Sequence, residues 1–163
     1  MNGSAAVSPA APDEALLERD YGLSSESVAV MRALADIVAP AVDGCQAASE
    51  VGAHLRAAQS LEMLQRGSIT LLTRLLNMYA RAERRDASFL DLDPAERERA
   101  LRALAEEDLD EMRDLVESVH AFILGGYLAG FSAADPWQRP KVWEAMGFHG
   151  PARGHLPAGG NDA

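Results

Sequence analysis

Apolar residues recur at three- and four-residue spacing along most of the chain, which is the period of an amphipathic α-helix. One such stretch covers residues 24–40, and a second runs over residues 47–64. Gly67 and Ser68 weaken helix formation, so we expect a break there before a third stretch that ends near residue 84. No segment alternates apolar and polar residues with the β-branched enrichment of a strand. The pattern predicts an all-α fold, a compact bundle of about five helices.

The clearest signal for a helix start is the stretch Asp93-Pro94-Ala95-Glu96. Asp93 suits the N-cap, Pro94 suits the first helical position, and Glu96 completes a capping box. We therefore predict a helix over residues 94–105. Apolar residues just before it, Phe89, Leu90 and Leu92, are expected to pack beneath this helix.

The last long helix is predicted to follow an acidic run at residues 106–117 and to reach about Phe131. Its predicted buried seam consists of Leu109, Met112, Val116, Val119 and Ile123. Gly125, Gly126 and Gly130 each cost a helix about 1 kcal/mol relative to alanine. We expect the close approach of another backbone to explain these glycines.

The two ends of the chain differ from the bundle in composition. Residues 1–22 are rich in Ala, Ser, Pro and acids, and we interpret them as a flexible N-terminal arm, with one short helical turn at residues 14–19. Residues 23–131 form the predicted bundle. Residues 132–163 form an irregular Trp-, Pro- and Gly-rich C-terminal tail, which we expect to contact a partner.

The tail has the composition of a contact surface. It contains both tryptophans, Trp137 and Trp143, and three acids balance three bases. Trp and Arg are favoured at binding hot spots. Tryptophans that follow a bundle can equally cover one end of its core, so the residues alone leave both interpretations open.

Charge and cysteine content exclude several classes of protein. The net charge is -10, from 25 acids and 15 bases. This charge argues against binding to nucleic acid and against binding to an anionic membrane surface. No membrane span is expected, because no window approaches 18 consecutive apolar residues. The single cysteine, Cys45, excludes an intramolecular disulfide and a multi-cysteine metal site. The first twenty residues lack a secretory pattern and a twin-arginine pair, so we expect a cytoplasmic location.

Candidate chemistry is sparse. Glu117-x-x-His120 matches half of a di-iron motif, but the other close pair, Glu50 and His54, has the wrong spacing. A structural, hydrogen-bonded His120 is therefore favoured over a metal ligand. No glycine-rich nucleotide loop or nucleophile elbow occurs. We predict no catalytic, cofactor-binding or metal-binding residue in this chain. An enzyme that uses Glu117 and His120 ranks last among the alternatives.

Three stretches together resemble a known family. They are residues 34–40, residues 89–104, and the helix end Gly125-Gly126-Tyr127 with the later segments 139–143 and 147–151. This layout, over about residues 28–151, resembles the gluconate 2-dehydrogenase subunit 3 family. These are small helical subunits of flavin-dependent dehydrogenases of the glucose-methanol-choline type.

The resemblance implies a non-catalytic small subunit that binds, stabilises or helps mature a larger flavoprotein. FAD is then expected in that partner and not in this chain, and the assembly is a hetero-oligomer. The predicted partner contacts are Tyr127, Trp137, Arg139, Trp143, Met146, Phe148 and His149. The alternative is a stand-alone helical adaptor or regulator that forms a homodimer through its glycine-containing helix.

Overall fold

Six α-helices and one 3-10 turn make up the part of the chain that the computed structural model describes, residues 13–42 and 45–130. The helices are α1 (Glu14–Tyr21), α2 (Ser25–Val38), α3 (Ala53–Leu64), α4 (Ser68–Glu83), α5 (Pro94–Ala105) and α6 (Asp110–Gly130). The 3-10 turn, Phe89–Asp91, lies between α4 and α5. In these residues the only extended pairing is a single bridge between Val42 and Cys45. The predicted all-α fold is confirmed.

The first helix, α1, is longer than the single turn predicted at residues 14–19. Asp13 caps it by accepting a hydrogen bond from the Leu16 backbone N–H at 2.7 Å, and Gly22 ends it in the left-handed region at φ 69°. Leu17 is completely buried against the bundle. This part of the predicted arm therefore packs on the helices that follow, while residues 1–12 lie outside the described residues.

Helix α3 begins six residues later than predicted, at Ala53 instead of Ala47. The preceding residues form turns: the Glu50 backbone N–H donates to the carbonyl of Ala47, and the N–H of Gly52 donates to Ser49. Gly52 then adopts φ 72°, a left-handed conformation that a helix cannot continue through. The expected helix was wrong here because turn bonds replaced the first helical turns.

The break predicted at Gly67 and Ser68 is confirmed, since α3 ends at Leu64 and α4 begins at Ser68. The buried carboxylate of Glu62 holds this corner. It accepts hydrogen bonds from the backbone N–H of Gly67 at 2.7 Å and of Ile69 at 2.9 Å. Glu62 thus satisfies the free donors at the start of α4, which no side chain at its N-cap does.

The predicted start of α5 is confirmed in detail. The Glu96 backbone N–H donates to Asp93 at 2.8 Å, and the Asp93 N–H donates to the Glu96 carboxylate at 2.9 Å. Phe89 and Leu92 are buried before this helix, as expected, and Leu90 is partly buried.

Helix α6 has the predicted seam with one exception. Val116, Val119 and Ile123 are buried and Met112 is partly buried, but Leu109 is 52% exposed. Leu109 was misassigned because it precedes the helix. Its carbonyl accepts the first turn's backbone N–H groups, so its side chain lies off the seam.

Close backbone packing explains one of the three glycines in α6. A Cβ placed on Gly126 would lie 2.8 Å from the Ala53 carbonyl oxygen of α3. Gly125 is exposed, and a Cβ there would meet nothing within 4 Å, so the expectation was wrong for Gly125. The surroundings of Gly130 lie outside the described residues.

Helices α3 and α6 share the most extensive helix–helix contact in the described part, and the core lies between them and the other helices.

Candidate functional site: a groove between α3, α4 and α6

Tyr127 is the one predicted partner contact that the structure describes. Its ring is 5% exposed, and its hydroxyl donates a hydrogen bond to the Gln46 carbonyl oxygen at 2.8 Å. Burial raises the pKa of this phenol. The side chain therefore ties the end of α6 to the turns before α3, and its contact with a partner stays a prediction.

The remaining predicted contacts fall outside the described residues. These are Trp137, Arg139, Trp143, Met146, Phe148 and His149. The division between bundle and tail at residues 131 and 132 likewise stays a prediction.

His120 has the structural hydrogen bond that its sequence position predicts. Its Nδ1 lies 2.9 Å from the Val116 carbonyl oxygen one turn earlier, so that nitrogen carries the donated proton. Glu117 is exposed. Within the described ranges, no three His, Cys, Asp or Glu side chains are grouped so that they could hold a metal ion.

His54 is a feature that the sequence did not reveal. The residue is 3% exposed, and within the described chain neither ring nitrogen has a hydrogen-bond partner. Burial lowers the pKa of His54, and the positive charge of Arg32 lowers it further, against smaller opposite effects of Glu14 and Asp36. Both effects favour the neutral form of the imidazole. Its partner in the sequence pattern, Glu50, is exposed.

A groove opens where the end of α3, the start of α4 and the first half of α6 meet. Its volume is about 350 Å³. Its apolar lining is formed by Leu61, Leu64, Leu71, Met112, Leu115 and Phe122. Leu64 is 73% exposed and Leu71 is 46% exposed, whereas Leu61, Leu72 and Leu76 of the same two helices are buried. The sequence reasoning missed this groove, because helical periodicity does not show which apolar residues a neighbouring helix fails to cover.

The polar groups of the groove are acidic or neutral. They belong to Gln65, Ser68, Glu111, Asp114 and Ser118. Among the described residues, no lysine, arginine or histidine lines the groove. Ser68 is 4% exposed, and its buried hydroxyl has no hydrogen-bond partner among the described residues. The groove therefore combines an apolar surface with a negative edge, which suits binding of another molecule better than acid–base chemistry.

A second hollow lies between α2, α5 and α6. His120 lines it together with Ile37, Val38, Leu101 and Val116, and Arg102 pairs with Glu98 at 2.8 Å along its edge. The ion pair is exposed, so it contributes little to stability.

None of the helices in the described ranges is both long enough and apolar enough to cross a membrane.

A scan against protein-family models assigns this helical bundle to a family that is described as a dehydrogenase subunit. The model of gluconate 2-dehydrogenase subunit 3 matches residues 25–150, more than three quarters of the chain, and the chain belongs to that family. The match confirms the resemblance inferred over residues 28–151. No curated protein and no solved structure matched the chain. The family's description as a subunit implies a partner chain and suggests an accessory role.

Proposed function

We propose that this chain is the non-catalytic small subunit of a sugar or alcohol dehydrogenase or oxidase complex. It binds a larger FAD-containing subunit of the glucose-methanol-choline type, and it stabilises that subunit or helps it to mature. The observation that carries the proposal is the family match over residues 25–150. The exposed apolar groove on the folded bundle supports it, because such a surface is typical of a protein that binds another.

The proposed interface includes the seven contacts predicted from the sequence, six of them in the tail. In this proposal FAD and the reacting groups belong to the partner, and this chain contributes binding surface. The cytoplasmic location expected from the N-terminal sequence stays a prediction and is tested by cell fractionation.

Co-expression with a flavoprotein of the glucose-methanol-choline type from the same organism tests the proposal. We expect the two chains to elute together, and the flavoprotein to lose soluble yield, bound FAD or activity when this chain is omitted. Separate elution, with a flavoprotein that is soluble, flavin-loaded and active alone, would contradict the proposal.

The homodimeric adaptor is the alternative, and sedimentation of the purified chain distinguishes it. Gly126, on the helix that was expected to form the dimer, is already in contact with α3 of its own chain. A stable homodimer that ignores the flavoprotein would favour the adaptor. The enzyme that uses Glu117 and His120 is tested by His120→Ala, which should leave the activity of the complex unchanged.

A further inference from the structure

We infer that the groove between α3, α4 and α6 is a docking site for the larger subunit, and that it takes an apolar side chain flanked by arginine or lysine. This inference rests on the proposed function, since it assigns a place on this chain to the partner of that function. Tyr127, the one predicted contact that the structure describes, is not among the residues that line this groove.

The apolar part of the groove indicates an occupant. Leu64 is 73% exposed and Leu71 is 46% exposed, and they face a groove that Phe122 and Leu115 also line. Large apolar side chains that lie next to one another around a concave surface are typical of an interaction site, whereas single exposed ones need no explanation. The partner group that removes these side chains from water is therefore apolar.

The charge of the groove specifies what surrounds that apolar group. Glu111 and Asp114 line it, and no ion pair to either carboxylate occurs in the described part of the chain. The nearby Arg113 pairs with Asp110 at 3.2 Å, outside the groove lining. Residues 106–117 contain seven acids and one arginine. A partner segment with basic residues beside its apolar side chain complements this edge and is attracted to it during association.

Neutral polar groups supply orientation. Gln65 and Ser118 line the groove beside its apolar side chains, while the Ser68 hydroxyl beneath them is buried. Few, well-placed polar groups on an apolar surface fix the orientation of whatever binds there. A partner backbone that offers hydrogen-bond donors and acceptors along this wall fits Gln65 and Ser118.

The same charges disfavour a second copy of this chain as the occupant. A two-fold contact places the same patch of both copies face to face. Glu111 and Asp114 of one copy would then meet the same carboxylates of the other, and no described basic residue lines the groove to separate them. A basic partner avoids this like-charge repulsion.

Affinity for the purified, FAD-loaded flavoprotein of the co-expression experiment tests the inference. Leu71→Ser removes an apolar group from the groove, and Met78→Ser is its matched control, since Met78 is 54% exposed on the same helix but does not line the groove. We expect Leu71→Ser to raise the Kd about tenfold or more, as at a binding hot spot, and Met78→Ser to leave it within about twofold.

The charge is tested separately with Asp114→Asn. Its control is Glu18→Gln, an exposed carboxylate on α1 that lies outside the groove lining. We expect Asp114→Asn to slow association and to weaken its dependence on salt between about 50 and 300 mM, because fewer charges remain to be screened. Glu18→Gln should behave as the unmodified chain. Circular dichroism of each variant confirms that the fold is retained.

The outcomes separate this inference from the proposed function. If a complex forms and neither Leu71→Ser nor Asp114→Asn weakens it more than its control, the inference is wrong and the function stands. If no complex forms with the unmodified chain, both are wrong. If the free chain is a dimer that Leu71→Ser dissociates, the groove belongs to a second copy.

Tryptophan fluorescence tests whether the chain's own tail, instead of the partner, occupies the groove. Both tryptophans, Trp137 and Trp143, belong to the tail, so the emission of the isolated chain reports on that segment alone. We expect Leu71→Ser to leave the emission unchanged. A red shift would mean that the tail occupies the groove, and it would overturn the assignment to the partner.

Discussion

Replacing Gly126 by alanine perturbs the contact on which the bundle depends most. Gly126 lies where α6 crosses the start of α3, and the added Cβ would lie 2.8 Å from the Ala53 carbonyl oxygen and 3.3 Å from the Arg56 Cβ. Protein side chains essentially never come so close to a backbone oxygen. Because the oxygen belongs to the backbone of a helix, α3 and α6 must move apart to admit the methyl group.

Two effects of opposite sign set the magnitude. Overpacking a well-packed contact costs about 1–3 kcal/mol. Alanine recovers about 1 kcal/mol of helix propensity relative to glycine. At Gly125 only the second effect operates, because its Cβ would meet nothing within 4 Å. We therefore expect Gly125→Ala to raise the free energy of unfolding by up to about 1 kcal/mol. Gly126→Ala should lower it by up to about 2 kcal/mol.

Urea unfolding followed by far-ultraviolet circular dichroism measures both variants. The two glycines are neighbours in the same helix, so differences in helix propensity cancel in the comparison. The expected result is a midpoint above that of the unmodified chain for Gly125→Ala and below it for Gly126→Ala. Equal midpoints for the two variants would refute the close packing of α3 on α6.

Three further changes test the corner of the bundle, the buried histidine and the tail. Glu62→Gln leaves one oxygen to accept from the Gly67 and Ile69 backbone N–H groups, and urea unfolding should show a loss of about 1–3 kcal/mol. The pKa of His54 is lower in the fold than its usual 6.5, so the unfolded chain takes up the proton first and stability falls as the pH drops through 6.5. The free energy of unfolding should therefore fall less between about pH 8 and about pH 5 in His54→Leu than in the unmodified chain. An equal fall in both proteins would contradict the burial of a neutral imidazole. Trp143→Ala should weaken binding of the flavoprotein by about 2 kcal/mol in calorimetry if the tail is the contact surface, whereas a lower melting temperature with unchanged binding would assign this tryptophan to the chain's own core.

Local signals in the sequence predicted the helices well where capping chemistry is local. Asp93 and Glu96 lie three residues apart and satisfy each other's backbone donors, so the start of α5 needs no distant contact. The predicted start of α3 was wrong because Gly52 and the turns before it interrupt a pattern that is apolar on both sides. The spacing of apolar residues indicates which face of a helix is buried, but it does not show where a turn replaces the helix.

At the other positions the sequence was not sufficient, because contacts between residues far apart in the chain decide the structure there. The sequence showed that glycines in α6 need an explanation, but only the position of α3 distinguishes Gly126 from Gly125. The same holds for Leu64, which has the spacing of a core residue and yet lines an open groove. The candidate site could therefore not be found from the sequence, because it consists of apolar residues that no helix of the described part covers.

The molar mass of the co-purified sample, measured by light scattering together with flavin absorbance, tests the central claim most directly. The account predicts that this 17.4 kDa chain is colourless when purified alone and elutes with the flavoprotein in one peak whose mass is the sum of both chains in a fixed ratio. Two peaks, with the flavin-containing protein at its own mass and this chain at 17.4 kDa or as a homodimer, would contradict it.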